Sequence, residues 1–215
     1  MDSRQATAPQ MSKAERTREA VLAAAEELFS ERGFDATPLS VIGERAGIQG
    51  SAILYHYATK RELYEAVLDR MFTPMLHEVN RELRGDGSLP ERLGSITAAL
   101  VRFAAGRPSA ARLVLREAFA GSAEAGDIVG TATQRQWSRF VDALAGEDGV
   151  DFDPLVVWNI VVGAICFYFG AGPTVGGLPH DPCDPTRAAE FEARMIRVTQ
   201  TLCGFDGDTR NGENT

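Results

Sequence analysis

An all-α fold is predicted for this chain of 215 residues. Apolar residues recur every three or four positions in segment after segment, the spacing that lines one face of a 3.6-residue helical repeat. Start and stop residues punctuate those segments, among them Gly33, Thr37-Pro38, Gly47, Pro90 and Asp153-Pro154. The longest apolar run, LVVWNIVVGAICFYFG over 155–170, is apolar nearly all the way round, so it reads as a helix that must be covered on every side. About nine helices result: an N-terminal three-helix head with a helix-turn-helix, joined by a long helix to a helical body.

Taken in order, residues 1–12 are polar and unpatterned and read as a disordered leader. Over 13–32, Val21, Ala24, Ala25, Leu28 and Phe29 form one stripe, and Gly33 closes the helix. Thr37 offers its side-chain oxygen as an N-cap, with Pro38 where a missing N–H costs nothing. Gly47 is placed to take the left-handed conformation beyond that helix's end, with Ile48 dropping back toward the core. A second short helix is expected from Gln49 or Gly50 to Tyr57, turning Ile53 and Tyr57 inward against Ile42, and Ser51, Ala52, Tyr55 and His56 outward. Two short helices joined at a glycine make the helix-turn-helix unit, whose second helix fits a major groove about 12 Å wide.

Thr59 is expected to cap a long helix from Lys60 to about Arg84, bent or split near 71–73 by Pro74. Gly85-Asp86-Gly87-Ser88 stops it, and Pro90 restarts the chain. Further helices are expected over 89–106, 108–120, 128–144, 155–170 and 186–203, with a Gly/Pro-rich loop over 170–185. The 155–170 run is shorter than the roughly 20 apolar residues of a membrane span, so sharing between the core and a second copy is favoured. The expected division is a leader over 1–12, a helix-turn-helix DNA-binding domain over 13–62, a helical body over 63–205 to which the resemblance given next assigns effector binding and dimerisation, and a disordered tail over 206–215.

The block from Ala20 to Leu68 resembles the N-terminal domain of TetR-type bacterial transcriptional regulators. The resemblance runs through Val21, Leu22, Ala25, Leu28, Phe29, Gly33, Phe34, Thr37, Ile42, Glu44, Ala46, Gly47, Ile48, Ile53, Tyr55, His56, Tyr57, Lys60 and Leu63. It implies that Thr37, Tyr55, His56 and Lys60 hold the DNA backbone, while Gln49, Gly50, Ser51 and Ala52 face bases. By chemistry, Ser51 hydrogen-bonds base edges or phosphate, Ala52 touches a thymine methyl, and Gly50 allows close backbone approach. Two positions depart from the family pattern: Leu54 stands where a phosphate-contacting tyrosine is usual, and Gln49 where a Ser or Thr usually caps the reading helix.

A formal net charge of −8 weighs against nucleic acid, whose binding rests on phosphate neutralisation. The distribution reverses that: Lys13, Arg16, Arg18, Arg32, Arg45, Lys60 and Arg61 lie in or beside the head, with acid-rich stretches at 147–153 and 206–213. Neither a secretory nor a transit pattern is visible at the start, so a cytoplasmic location is expected. Cys166, Cys183 and Cys203 are odd in number and lack metal-like spacing, which points to free thiols.

One short reading helix covers only a half-site, so a homodimer on palindromic double-stranded DNA is expected, with reading helices about 34 Å apart. Its surface is assigned to Leu155, Val162, Ile165, Phe169, Phe191, Met195, Val198 and Leu202. The resemblance also implies a small-molecule effector that releases a repressor from DNA. Candidates for lining its pocket are Met71, Met75, Phe103, Arg116, Phe119, Trp137, Phe140, Trp158, Asn159 and Phe167. A ligand-independent DNA-organising protein and a helical binder with a vestigial head stay open as alternatives. The sequence holds no Gly-rich phosphate loop, metal-ligand cluster or nucleophile elbow, so no catalytic residue, cofactor or metal is expected.

Overall fold

The computed structural model describes residues 11–120, 123–144, 150–172, 174, 175 and 177–205, with the backbone alone at 120, 123, 132–137, 139, 142 and 143. Most of the expected leader, the expected tail and the Trp137 side chain lie outside the described residues. Nine helices and no strand occur among those residues: α1 (Lys13–Arg32), α2 (Leu39–Ala46), α3 (Gly50–Ile53), α4 (Lys60–Leu83), α5 (Leu89–Gly106), α6 (Pro108–Ala120), α7 (Ala123–Leu144), α8 (Pro154–Gly170) and α9 (Pro185–Leu202). None of the described helices is long and apolar enough to cross a membrane. The chain divides into two compact units, one ending at Leu68 and the other beginning at Asp69.

Helix starts are set by the residues just before them. Ser12 and Glu15 form a reciprocal capping box on α1: the Glu15 amide donates to Ser12 Oγ at 3.2 Å and the Ser12 amide to Glu15 Oε2 at 2.6 Å. Ser88 and Glu91 repeat it on α5, the Ser88 amide donating to Glu91 Oε2 at 2.9 Å. Asp153 accepts from Leu155 N at 2.8 Å, and Asp184 from Thr186 N at 3.0 Å, ahead of the proline-led α8 and α9. Thr59 caps α4 as expected, accepting from Glu62 N at 3.0 Å.

Pro74 does not split α4, which is one helix through Leu83. A proline there removes the bond that Arg70 O would accept, while Arg107 Nη1 donates to the neighbouring Met71 carbonyl at 3.4 Å. α7 also begins earlier than expected, at Ala123, because Ala-Glu-Ala is good helix-forming sequence ahead of the apolar stripe.

In the first unit the core is built on Val21, Ala25, Phe29, Ile42, Ile53, Leu63, Tyr64 and Val67, all without exposure. The rings of Phe29 and Phe34 flank Tyr64, with centroids 4.9 and 5.0 Å from it. In the second unit, α5 packs most extensively on α9, and α6 on α8. The Thr97 and Thr199 hydroxyls meet across the α5–α9 contact at 2.9 Å.

Candidate nucleic-acid interface

The reading unit is assembled from α2, the Gly47 turn and α3. Gly47 adopts φ 72° and ψ 28°, the left-handed conformation expected of it. Its amide donates to Glu44 O at 3.2 Å, and the Ile48 amide reaches back to Gly43 O at 2.9 Å, which closes the end of α2.

Regular α-helix in the reading segment is shorter than expected, ending at Ile53 rather than Tyr57. Beyond it the chain tightens to three-residue bonding: Leu54 N to Ser51 O at 3.2 Å, Tyr55 N to Ala52 O at 3.3 Å and His56 N to Ile53 O at 2.8 Å. At the other end, Gln49 occupies the N-cap position in extended conformation with no side-chain cap bond.

Burial sorts the faces. Ile53 and Tyr57 turn inward beside Ile42, all three at 1% exposure or less. Ser51, Leu54 and Tyr55 face outward, Tyr55 at 91% exposure, while Ala52 and His56 are half-buried. Periodicity alone did not mark Leu54 as part of this surface; at 49% exposure it lies beside Tyr55 in sequence.

Lys60 opens α4 with Nζ 4.4 Å from the centre of the Phe34 ring and 3.5 Å from Asp35 O. Arg18 lies over the Tyr57 ring at 4.9 Å, behind the reading face. Two other head cations are engaged by acids. Arg45 pairs with Glu27, whose hydrogen bond and charge raise the guanidinium further above its usual range, and Arg61 meets Glu65 at 3.0 Å.

Thr37 requires a correction. It neither caps α2, whose N-cap is Pro38, nor reaches the surface, for its exposure is 0%. Its hydroxyl donates to Gly33 O at 2.7 Å instead, tying the start of α2 to the end of α1. At Gly50 the side on which a side chain would project is turned to α2, where a Cβ would stand 2.7 Å from Ser40 Cα.

Among the described residues, the effector candidates divide by burial. Met71 and Phe140 are core residues, at 0% and 5% exposure. Phe103 packs on Phe72, ring centres 5.8 Å apart, and Trp158 on Phe140 at 5.3 Å; both are half-buried, as is Met75. Phe119 is 84% exposed, and Arg116 and Asn159 are exposed as well, Asn159 Nδ2 donating to Leu155 O at 2.8 Å. Phe167 lines an open recess of about 510 Å³ with Gly163, Ala164, Tyr168, Gly172, Leu178 and Phe191.

The pairing candidates also divide. Ile165, Phe169 and Met195 point into their own core, at 5% exposure or less, so they are unavailable to a second copy. Leu155, Val198 and Leu202 are exposed, while Val162 and Phe191 are half-buried. Val156, Ile160 and Phe167 complete an exposed apolar row on α8. Periodicity could not single out Val156 and Ile160, because α8 is apolar all round.

Residues 21–67 match the family model described as bacterial regulatory proteins, tetR family. The HTH-type transcriptional activator FasR of Mycolicibacterium smegmatis is 27% identical over 131 residues, 61% of this chain and 60% of that protein. The HTH-type transcriptional repressor BepR of Brucella suis biovar 1 is 36% identical over 90 residues, covering 41% of this chain and 43% of that protein. These matches span less than two thirds of either relative. Among solved structures, the transcriptional regulator FadR from Bacillus subtilis, in complex with stearoyl-CoA, shares the fold with a TM-score of 0.65 and 13% identity, covering 86% of this chain and 98% of that one.

Proposed function

We propose, from the premise that residues 21–67 match the tetR family model on a chain with the fold of a TetR-like regulator, that this protein is a DNA-binding transcriptional repressor. It acts as a homodimer on a palindromic operator and is released by a small apolar effector. One observation carries the DNA reading: Ser51, Leu54 and Tyr55 stand outward on a short rod whose opposite edge, Ile53 and Tyr57, is locked into the head. That is how a reading helix offers side chains to a groove while its scaffold stays fixed. Lys60 adds a cation beside it for the phosphates.

Repression needs only occupancy of a promoter, whereas activation needs a further contact with polymerase; the relatives FasR and BepR carry opposite signs. Pairing is supported by the exposed apolar row on α8 together with Val198 and Leu202 on α9. An apolar effector suits the half-buried Met75, Phe103 and Trp158 of the second unit, and the similar FadR structure holds stearoyl-CoA. Such an effector acts through a difference in its affinity for the DNA-competent and DNA-incompetent states.

Gel shifts on palindromic duplexes taken from beside the protein's own gene test the reading. Binding that weakens steeply with salt, and again with Lys60→Ala and Tyr55→Ala combined, is expected. Binding indifferent to both changes sinks it. Run-off transcription from a promoter containing the bound duplex then reads the sign, repression being the expected outcome.

A further inference from the structure

Gly43 on α2 and Gly50 on α3 face each other in the turn unit. A Cβ on Gly50 would stand 2.7 Å from Ser40 Cα, 3.0 Å from Ser40 N and 3.1 Å from Leu39 C. One on Gly43 would stand 2.6 Å from Gly50 N, 2.8 Å from Gly50 Cα and 2.9 Å from Ile48 O. Every one of these neighbours is backbone, so no side-chain rotation relieves the overlap. Neither glycine has positive φ, in contrast to Gly33 and Gly47, so conformational freedom is not what these positions require. They require space.

We propose that Gly43 and Gly50 are positioning residues of the reading head: by letting α2 and α3 touch backbone to backbone, they set the depth at which α3 presents Ser51, Ala52 and Tyr55. This rests on the DNA-binding reading above and assigns Gly50 to α2 rather than to the DNA. The size of the effect follows from van der Waals distances. Carbon atoms settle about 3.5–4.0 Å apart, so a methyl group at either position moves α3 away by about 1 Å. A displacement of that size takes base-edge hydrogen bonds out of range while leaving charge on the head unchanged.

The test uses the full chain, a duplex that the wild type enriches from a random-sequence pool, and a scrambled duplex of the same length. Gly50→Ala and Gly43→Ala are compared with Gly130→Ala, where a Cβ meets nothing within 4 Å. Both head variants are expected to keep their helical circular dichroism, lose about tenfold or more on the enriched duplex and change little on the scrambled one. Gly130→Ala should match the wild type on both.

Unchanged affinity for the enriched duplex overturns the proposal, as does an equal loss on both duplexes, which would mark general damage to the head. If Gly43→Ala fails to fold, Gly50→Ala decides alone. A wild type that enriches no sequence defeats the DNA reading instead. The spacing is then judged from amide exchange at Ile48, whose N–H reaches Gly43 O at 2.9 Å. Protection reduced about tenfold in Gly43→Ala sustains the role of the glycines, and unaltered protection removes it.

Discussion

Replacing Thr37 by valine separates two roles that a single threonine at this position could have. The side chain is wholly buried and its hydroxyl donates to Gly33 O at 2.7 Å, with Leu28 O at 3.4 Å. Valine has nearly the same shape, so no cavity opens, but the buried Gly33 carbonyl loses its donor. Leaving such a group without a partner costs about 1–3 kcal/mol. A value near 1–2 kcal/mol lowers the folding equilibrium about five- to thirtyfold. Urea unfolding followed by circular dichroism measures that loss, with unchanged slope. Gel shifts at concentrations where the variant stays folded should give DNA affinity within about twofold of wild type, because an interior hydroxyl has no route to a phosphate. A variant as stable as wild type that binds DNA tenfold more weakly would refute this reasoning and return Thr37 to the DNA surface.

Lys60→Ala removes one cation per head, two in the proposed dimer, so the slope of log affinity against log salt should become shallower by about 1.8; an unchanged slope would mean Lys60 does not neutralise phosphate. Ile160→Glu places a charge on the exposed apolar row of α8, where Ile160 is 43% exposed, and light scattering should report a single copy that keeps its helicity. A persistent dimer would move pairing off that row. Burial pushes the Cys166 thiol from 9.0 up to about 11. Since folding holds its proton more tightly, the stability linked to that proton is intact below pH 9.0 and fades as pH rises toward about 11. Urea midpoints from pH 8 to 11 should therefore fall further for wild type than for Cys166→Ala, and parallel curves would contradict the assignment.

Helix positions were legible in the sequence where a local rule governs them. Gly33 and Gly47 end α1 and α2 at the expected residues, and Thr59 starts α4, because caps act on amides and carbonyls only a few residues away. The shortened α3 was not legible, since three-residue bonding after Ile53 leaves the inward spacing of Ile53 and Tyr57 unchanged. Thr37 misled for a related reason. A threonine before Pro38 satisfies the N-cap rule, and only the return of the chain past Gly33 shows a carbonyl in reach of its hydroxyl. Gly43 and Gly50 carry no periodic signal, because their role depends on which backbone lies opposite. On α8, uniform apolarity conceals which residues turn outward: Val156 and Ile160 do, whereas Ile165 and Phe169 are buried.

The exposed row on α8 bears on how the protein responds to its own abundance. With pairing through that face, and at amounts well below the pairing constant, the two-copy form grows as the square of the total chain. Halving synthesis then leaves a quarter of the species able to span both half-sites. On the proposed function, residues of the second unit would thereby decide how abruptly transcription changes as the protein is diluted by cell growth.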